Sequence, residues 1–547
     1  MKLASFTFAV GSLLLLACGS DEPVGTPHAT SQGGASSTTT GVGGGGAGGA
    51  GGSGGYDPKF QPLVDAVEEE RVALGAPGVA VAVVEHGRVT FARGFGSKDP
   101  NADVPVLPTT LFHTGSVQKM LTATAMLQQV AAGKIDLDAP ITDTVPDFDF
   151  VEDPTWAPSV HGRHLLSHTS DIVDYLKIKG PSSDAALETF LLGSFGSVGY
   201  LMAPAGSFWN YSNPNFMLAG WLVEKTSGQT YRDYMEEHVY APLGMTRTLQ
   251  LPADVIADGD YALGKSGYPG LPEVIAPDTY DNAWARPAGY VYSNVLDLAQ
   301  FVAFLAQGNE AVLPAAEHDA MQVEQVDTQL FFDTYHYGYA LFVLHGAFFA
   351  PGEYRPLPIV THGGDIPGFA ADVWWIPSMD LGMVFMANAD GAHFGASVVK
   401  ALETLGTPPE PIELPDPTPT AAQLASYAGT YYDAHNVGTI VVTVDGAALH
   451  ISMPDVDAAG VPYDPVLVPM DPRNFLLGIQ GTQLGVTFID DGASTSRWFR
   501  TRAFVGDRSA SPPPPPPPPT TIDASELAAR LERARFDARV PELRRWR

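Results

Sequence analysis

The spacing of two strand-forming regions is the strongest constraint on the fold of this chain. Segments 78–84 and 89–92 are rich in valine and are separated by His86-Gly87, a pattern that predicts a β-hairpin. Strand-like segments return near 359–389, and most of the intervening chain has helical periodicity. Strands on both sides of a long helical stretch indicate an antiparallel sheet with a helical insertion, which is an α+β fold.

The pattern changes again after residue 406. Residues 407–420 are rich in proline and predict a linker or strap. Residues 421–506 contain short strand-like runs separated by turn pairs such as Asp445-Gly446, which is typical of a small barrel or sandwich. No nucleophile–base pair is evident there, so we expect a non-catalytic all-β domain that caps a cleft or binds a partner. Residues 507–547 predict a polyproline spacer followed by an arginine-rich helical tail.

The N-terminal segment predicts export. Lys2 precedes an apolar stretch, 6–16, that is too short for a comfortable membrane span, so residues 1–17 read as a signal peptide. Residues 18–55 are mostly Gly, Ser, Thr and Ala and predict a disordered linker. The segment Leu15-Leu16-Ala17-Cys18 resembles the lipobox of bacterial lipoproteins. That resemblance implies acylation of Cys18 and attachment to the cell envelope, at the outer membrane or a periplasmic face. The alternative is an ordinary signal peptide with an accidental cysteine.

Charge and cysteine content exclude several classes of function. The chain carries 30 basic and 61 acidic residues, a net charge of −31, and such a surface repels the phosphates of nucleic acid. Cys18 is the single cysteine, which excludes an intramolecular disulfide and a thiolate metal site. The sequence contains no H-E-x-x-H motif, and His161 and His164 are better explained as structural residues of a turn. We expect no metal and no other cofactor.

One short motif places a nucleophile beside a base. Ser116 and Lys119 stand three residues apart at the start of a helical run, 120–130, so the amine is expected to reach the hydroxyl. A serine hydroxyl is a poor nucleophile without such a neighbour. The helix start also leaves backbone N–H groups free near the serine. Alone, the motif is equally compatible with a helix cap followed by a solvated lysine.

Two further elements add chemistry to this pair. Tyr211 and Asn213 place a phenol and an amide on one turn, and the phenol could act as a general base if a nearby ammonium lowered its pKa. A buried tyrosine with a turn asparagine is the alternative. His362-Gly363-Gly364 follows an apolar strand-like segment, and glycines on an edge strand allow close approach of a substrate.

The order Ser-x-x-Lys, Tyr-x-Asn, His-x-Gly resembles the class C β-lactamase-like serine hydrolases, which include D-alanyl-D-alanine carboxypeptidases, D-amino-acid peptidases and esterases. The resemblance covers residues 58–405 and predicts a hydrolase domain at 56–406 with the β-lactamase/transpeptidase-like fold, an antiparallel sheet flanked by helices plus a helical domain. Four flanking segments are also similar to the family, namely 163–170, 242–245, 287–293 and 362–369. One departure is Ser170-Asp171, where the family usually has Ser-Gly.

The resemblance assigns roles to the motif residues. It implies that Ser116 is the nucleophile, that Lys119 and Tyr211 handle its proton, with Tyr211 held as a phenolate or hydrogen-bonded to Lys119, and that Asn213 orients them. It implies that His362 recognises the leaving group or a substrate carboxylate. The oxyanion and substrate-binding residues are expected to be Ser116, Gly363, Gly364 and Asp365.

The expected activity is hydrolysis of a D-amino-acid peptide or an ester through an acyl-enzyme on Ser116. β-Lactamase activity is expected to be weak or missing, because His362 stands where β-lactamases proper carry lysine. The alternatives are a true class C β-lactamase and a catalytically silent penicillin-recognising binding or scaffold protein. The expected partners are a small-molecule or peptide substrate and, through the lipid on Cys18, a membrane.

Overall fold

A computed structural model describes residues 55–150, 156, 158–490, 492 and 494–508. The predicted signal peptide, Cys18, the linker up to residue 54 and the tail beyond residue 508 lie outside the described residues. Among the described residues, no helix has both the length and the apolar character needed to cross a membrane.

The α-helices of the described residues are α1 (Gln61–Ala73), α2 (Gln118–Ala131), α3 (Gly162–Leu166), α4 (Ala186–Phe190), α5 (Asn213–Ser227), α6 (Tyr231–Met235), α7 (Ala241–Leu243), α8 (Pro252–Asp258), α9 (Val295–Gln307), α10 (Ala315–Gln322), α11 (Gly395–Leu405), α12 (Ala421–Tyr427) and α13 (Pro454–Ala458). Short 3₁₀ turns lie at Pro58–Phe60, Gly115–Val117, Ile141–Asp143, Ala283–Ala288 and Pro377–Met379, and π turns at Leu191–Phe195 and Glu236–Tyr240.

The strands that precede residue 407 are β1 (Gly78–Glu85), β2 (Arg88–Asp99), β3 (Ala102–Pro105), β4 (Phe112–His113), β5 (Gly264–Lys265), β6 (Val274–Ile275), β7 (Tyr292–Ser293), β8 (Val326–Leu330), β9 (Tyr335–Tyr337), β10 (Phe342–Leu344), β11 (Ala347–Ala350), β12 (Glu353–Arg355), β13 (Ile359–Ile366), β14 (Phe369–Ile376) and β15 (Leu381–Ala387). Those that follow are β16 (Gly429–Asp433), β17 (Gly438–Asp445), β18 (Ala448–Ser452), β19 (Val466–Pro469), β20 (Asn474–Ile479), β21 (Thr482–Asp490), β22 (Ser496–Arg500) and β23 (Val505–Asp507).

A nine-stranded antiparallel sheet forms the centre of the catalytic part, in the order β3-β2-β1-β15-β14-β13-β10-β9-β8. The N-terminal hairpin pairs with β15 through β1, which joins residues 300 positions apart, as in the pair Val81–Phe385. The helical insertion lies between β3 and β8. This confirms the predicted α+β fold.

The central strands β1, β14 and β15 are buried on both faces. Alternate residues of β1 enter two different cores: Ala80 and Ala82 face the helical insertion, whereas Val79 and Val81 face α1 and α11. This two-sided burial explains why segment 78–84 is almost continuously apolar rather than alternating.

The C-terminal β-domain is a closed barrel in which β16 to β23 follow one another around the ring. The barrel buries its own apolar core, to which α12 contributes Leu424 and Tyr427. Helix α12 was not expected from the sequence, although Thr420 and Gln423 form a capping box that signals it. The chain turns between β22 and β23.

Barrel and catalytic part are in direct contact. Trp498 and Val505 pack into the core of the helical insertion, and His435 stacks on Tyr200 with ring centroids 3.7 Å apart. The proline-rich strap lies along the catalytic part as well, since the Ile412 N–H donates to the Tyr354 carbonyl at 2.8 Å. The barrel therefore packs directly against the helical insertion.

Candidate active site

Ser116 lies in a tight turn between a strand and a helix. The chain leaves β4, passes through the 3₁₀ turn Gly115–Val117 and enters α2, so Ser116 stands at the start of a helix as predicted. Gly115 has φ +52°, and a Cβ there would lie 2.8 Å from the backbone N of Asp365. Only glycine fits this position, because a side chain would be strained and would collide with β13.

Lys119 lies one helical turn after Ser116, and its side chain is fully buried. Its Nζ is 2.9 Å from Ser116 Oγ, 2.8 Å from Asn213 Oδ1 and 2.6 Å from the Ala288 carbonyl oxygen. The amide and carbonyl oxygens can only accept hydrogen bonds. A neutral amine would donate its two N–H groups to them and keep its lone pair directed at the Ser116 hydroxyl.

The environment of Lys119 favours the neutral amine. Burial, reinforced by the positive charge of Arg502, lowers the pKa of Lys119 well below its ordinary value, and Asp174 offsets only part of this effect. A lysine that is neutral near physiological pH can accept a proton. The structure thus brings the two residues of the Ser-x-x-Lys motif together in a form that can activate the serine.

Tyr211 lies between two basic side chains. Lys119 Nζ is 5.0 Å from the centroid of its ring, and Arg502 Cζ is 4.4 Å away. Burial raises the pKa of the Tyr211 phenol above its ordinary value, although Arg502 and a contact with Ser116 lower it in part. Of the two forms expected from the sequence, a phenolate or a phenol hydrogen-bonded to Lys119, the raised pKa favours the neutral phenol, because desolvation of the anion outweighs the nearby cations.

A chain of polar contacts connects Lys119 to the barrel. Asn213 donates to Asp174 Oδ1 through its backbone N–H, at 2.8 Å, and through Nδ2, at 3.1 Å. Asp174 Oδ2 accepts from Arg502 Nη2 at 2.8 Å and Nε at 3.1 Å. Arg502 stands on the turn between β22 and β23, where Thr501 Oγ1 accepts from the Phe504 N–H at 2.9 Å. The barrel therefore supplies a charged residue to the site.

The glycines of the third motif let strand β13 pass directly beside the nucleophile. A Cβ at Gly364 would lie 2.1 Å from the Thr114 carbonyl oxygen and 2.9 Å from the Ser116 backbone N. Strand β13 was expected to be an edge strand, but it is not. Strand β10 pairs with it, although only with the first three residues of β13, Ile359–Thr361. The remainder faces the nucleophile turn, and Asp365 lines the same small cavity as Ser116.

His362 lies buried on β13. Its Nε2 is 3.1 Å from the Tyr337 hydroxyl, and its Nδ1 is 2.6 Å from the Gly363 carbonyl oxygen. Both ring nitrogens therefore have protein partners. Burial, with a smaller effect of Lys119, lowers the pKa of His362 to about 3, so the ring is neutral. The role expected for His362, recognition of the leaving group or of a substrate carboxylate, stays a prediction.

A second histidine braces β13 from its other side. His393 Nε2 is 2.9 Å from Asp365 Oδ2, and its Nδ1 is 2.8 Å from Asp372 Oδ1. Burial alone would lower the pKa of His393, but the two carboxylates raise it well above its ordinary value. A protonated His393 between Asp365 and Asp372 holds the strand segment that passes Ser116. No sequence motif predicted this network.

The sequence analysis also missed Asp174 and Arg502. Asp174 lies close to the family-like segment 163–170, but its spacing from Asn213 has no motif value. Arg502 is 328 residues from Asp174 in the sequence. The two side chains meet only because the barrel packs against the catalytic part. His168 was singled out only within a flanking segment, yet its Nδ1 accepts from the Ser212 N–H at 3.2 Å and so supports the Tyr211 turn.

A family model for β-lactamases matches residues 64–405, more than half of the chain. The chain belongs to the β-lactamase family. Its departure from the family pattern at Asp171 has a local explanation, because that residue has φ +58°, a conformation that favours glycine and that aspartate tolerates. The aspartate therefore fits the backbone conformation that this position has in the chain.

The chain is also similar to two curated relatives. It is 28% identical over 359 residues to the unguisins hydrolase of Aspergillus campestris, covering 61% of this chain and 62% of that protein. It is 27% identical over 369 residues to penicillin-binding protein 4 of Amycolatopsis lactamdurans, covering 65% of this chain and 93% of that protein. The chain spans less than two thirds of the first curated relatives that it matches, 62% and 66%.

Solved structures share the fold of this family member. SurE with D-Leu has 22% identity and a TM-score of 0.59, over 82% of this chain and 99% of that one. The D-amino acid amidase from Ochrobactrum anthropi SV3, complexed with L-phenylalanine amide, has 22% identity and a TM-score of 0.53, over 64% and 99%. These likenesses confirm the β-lactamase/transpeptidase-like fold of the hydrolase part.

Proposed function

We propose that the chain is a serine hydrolase that forms an acyl-enzyme on Ser116 and cleaves a D-amino-acid peptide or amide, or an ester, with little turnover of β-lactams. The observation that carries this proposal is the contact of Lys119 Nζ with Ser116 Oγ at 2.9 Å, with Asn213 and Ala288 accepting the amine's two N–H groups. This arrangement leaves one proton acceptor directed at one hydroxyl.

The reaction follows from these contacts. Lys119 takes the Ser116 proton as Oγ attacks the substrate carbonyl carbon, and the backbone N–H groups of Ser116 and Asp365 stabilise the oxyanion. The Tyr211 phenol then gives its proton to the leaving group and is reprotonated from Lys119. Water, activated in the same way, releases the acyl group. Asn213 holds the lysine amine throughout.

The substrate class rests on His362 and on the relatives. A neutral, buried His362 with both nitrogens occupied offers no fixed positive charge to the carboxylate of a β-lactam. Relatives named as a hydrolase and a penicillin-binding protein, and a structural neighbour named as a D-amino acid amidase, support an amide or ester substrate.

A substrate panel tests the proposal. The purified chain and Ser116→Ala are compared on a D-alanyl-D-alanine peptide, a D-amino-acid amide, a p-nitrophenyl ester and a chromogenic cephalosporin. We expect Ser116-dependent turnover of the first three classes, or of one of them, and slow acylation by the cephalosporin. Rapid cephalosporin turnover with no other activity would favour a true β-lactamase. A folded wild type that a fluorophosphonate does not label would favour a binding protein.

We further propose that Cys18 is acylated and that the exported chain is held at the bacterial cell envelope. The support is the lipobox-like sequence alone, because Cys18 lies outside the described residues. Cell fractionation of the wild type and of Cys18→Ser tests this. Release of the variant into the soluble fraction is expected, whereas a variant that stays with the membrane fraction would contradict the anchor.

A further inference from the structure

Three side chains from three chain segments meet at the edge of the large sheet, away from the active site. Glu324 lies between α10 and β8, His336 lies in β9, and His345 directly follows β10. Glu324 Oε2 is 3.3 Å from His336 Nδ1 and 3.0 Å from His345 Nε2. One ligand atom from each side chain lies within 4.8 Å of the other two. We refer to these residues as the edge cluster.

The second nitrogen of His336 shows which way its ring is protonated. His336 Nε2 is 3.1 Å from the backbone carbonyl oxygen of Asp333, which can only accept a hydrogen bond. Nε2 is therefore expected to donate to this carbonyl, which leaves Nδ1, 3.3 Å from Glu324 Oε2, as the ring nitrogen that can bind a metal. A histidine that binds a metal is commonly held in this manner, by a carbonyl group on the nitrogen opposite the metal.

The two imidazole rings and the carboxylate lie together on one small part of the surface. The His336 and His345 rings are stacked with centroids 4.2 Å apart. A cation bound beside them would be attracted by the carboxylate and by one nitrogen lone pair from each ring.

We propose that the edge cluster is a Zn²⁺ site, with Glu324 Oε2, His336 Nδ1 and His345 Nε2 as ligands and water completing the coordination. Two imidazoles and a carboxylate are a common donor set for zinc. Bonds of about 2.0–2.1 Å in a tetrahedral site place ligand atoms about 3.3 Å apart, which agrees with the two separations from Glu324. The side chains of Glu324 and His345 are 53% and 50% exposed, so the ion can enter from solvent.

The position of the edge cluster suggests its purpose. An ion there would join the segments of β8, β9 and β10, the outermost strands on that side of the sheet. Tyr337 follows His336 in β9, points to the opposite face and contacts His362 at 3.1 Å. Zinc would thus brace the strand that supports His362. Sequence motifs could not reveal this site, because the strand register, and not the spacing, brings the ligands together.

Metal titration tests the proposal. The untagged chain is prepared with Cys18→Ser, so that the single thiol does not bind zinc, and is stripped with a chelator. Zn²⁺ is then titrated in competition with a fluorescent chelator. We expect one ion per chain, and a loss of affinity of at least about tenfold in Glu324→Gln and in His345→Ala. His86→Ala is the matched control, because His86 is also exposed and paired with one carboxylate, that of Asp380 at 2.7 Å.

Thermal unfolding of the same proteins shows whether each variant is correctly folded. Both ligand variants are expected to melt at the temperature of metal-free wild type, since the substituted side chains are half exposed. Zn²⁺ should raise the melting temperature of the wild type and of His86→Ala, but not that of the two ligand variants. The proposal is overturned if the wild type binds no zinc stoichiometrically, or if His345→Ala binds zinc as tightly as His86→Ala.

Discussion

The active site is assembled from two regions that differ in how far the chain must fold to form them. Ser116 and Lys119 are three residues apart and meet through one turn of helix. Asp174 and Arg502 are 328 residues apart and meet only after the barrel has closed and docked. The local region carries the nucleophile and its base, whereas the distant region carries charge.

The local region provides the reactive pair, Ser116 and Lys119. The distant region affects whether Lys119 is neutral and so able to take the proton. The Ser116–Lys119 contact could exist in the isolated helical turn, but the neutral state of Lys119 depends on burial and on the positive charge of Arg502. The contact chain through Asn213 and Asp174 links the two regions physically. A barrel in which the sequence shows no nucleophile–base pair can therefore still influence the proposed nucleophile, Ser116.

Removal of the amine should give the largest effect. In Lys119→Met the volume is nearly kept but no proton acceptor remains beside Ser116, so the rate of acylation should fall by about 10²–10⁴-fold. Lys119→Arg should lose a similar amount, because a guanidinium is always charged. The burst phase with a p-nitrophenyl ester measures this rate. A variant that keeps wild-type acylation would remove Lys119 from the mechanism.

The second largest effect on acylation is expected at the contact between β13 and the turn that carries Ser116. Gly364→Ala places a Cβ 2.1 Å from the Thr114 carbonyl oxygen, so the turn must move and acylation should fall by about 10²-fold. Gly363→Ala is the matched control, because its Cβ would lie 3.2 Å from Asp372 Oδ1, 3.8 Å from His393 Cε1 and 3.9 Å from the Ala371 carbonyl oxygen, with no contact shorter than 3 Å. The two single variants are compared by fluorophosphonate labelling rate and circular dichroism. Equal rates in both variants would show that β13 does not position Ser116.

The distant region is tested by Arg502→Ala. This change leaves the buried Asp174 carboxylate without its ion pair and should lower the free energy of unfolding by about 3 kcal/mol. Acylation should fall by about tenfold as Asn213 loses its support. Urea unfolding and ester hydrolysis measure the two effects. Arg497→Ala serves as the control, since Arg497 pairs with Asp507 at the barrel surface and should contribute about 1 kcal/mol or less. A similar loss in both variants would mean that Arg502 acts only on barrel stability.

A smaller effect concerns the pH dependence of stability. The pKa of His362 is about 3 in the folded chain, below its ordinary value of 6.5. Between these values the unfolded chain binds more protons than the folded chain, so stability falls as the pH falls from about 6.5, by up to about 1.4 kcal/mol per pH unit. His362→Gln should remove this contribution. Between about pH 7 and 5 the wild type should therefore lose about 2 kcal/mol more than the variant in urea unfolding. An equal loss would indicate that the His362 ring can take up a proton in the folded state.

The sequence predicted the local region well, since apolar periodicity and the Ser-x-x-Lys spacing depend on one helix and its start. It also predicted the first hairpin and the strands near 359–389, most of which are almost continuously apolar, and the all-β nature of the C-terminal domain. It failed where a property depends on desolvation or on docking. The pKa values of Tyr211 and His362 shift because of burial, and the place of Arg502 depends on how the barrel sits.

The central claim is that Lys119 acts as a neutral base, and that the positive charge of Arg502 helps to keep its amine unprotonated. The most direct test is the rate of Ser116 acylation by a fluorophosphonate from about pH 5 to 10 in the wild type, Arg502→Ala and Arg497→Ala. The wild type and Arg497→Ala should reach a plateau well below pH 10.5, the ordinary pKa of a lysine. Loss of the Arg502 charge, which also leaves Asp174 unpaired, raises the pKa of Lys119, so the acidic limb of Arg502→Ala should move to higher pH. An unmoved limb, or a wild-type rate that still rises through pH 9, would contradict the account.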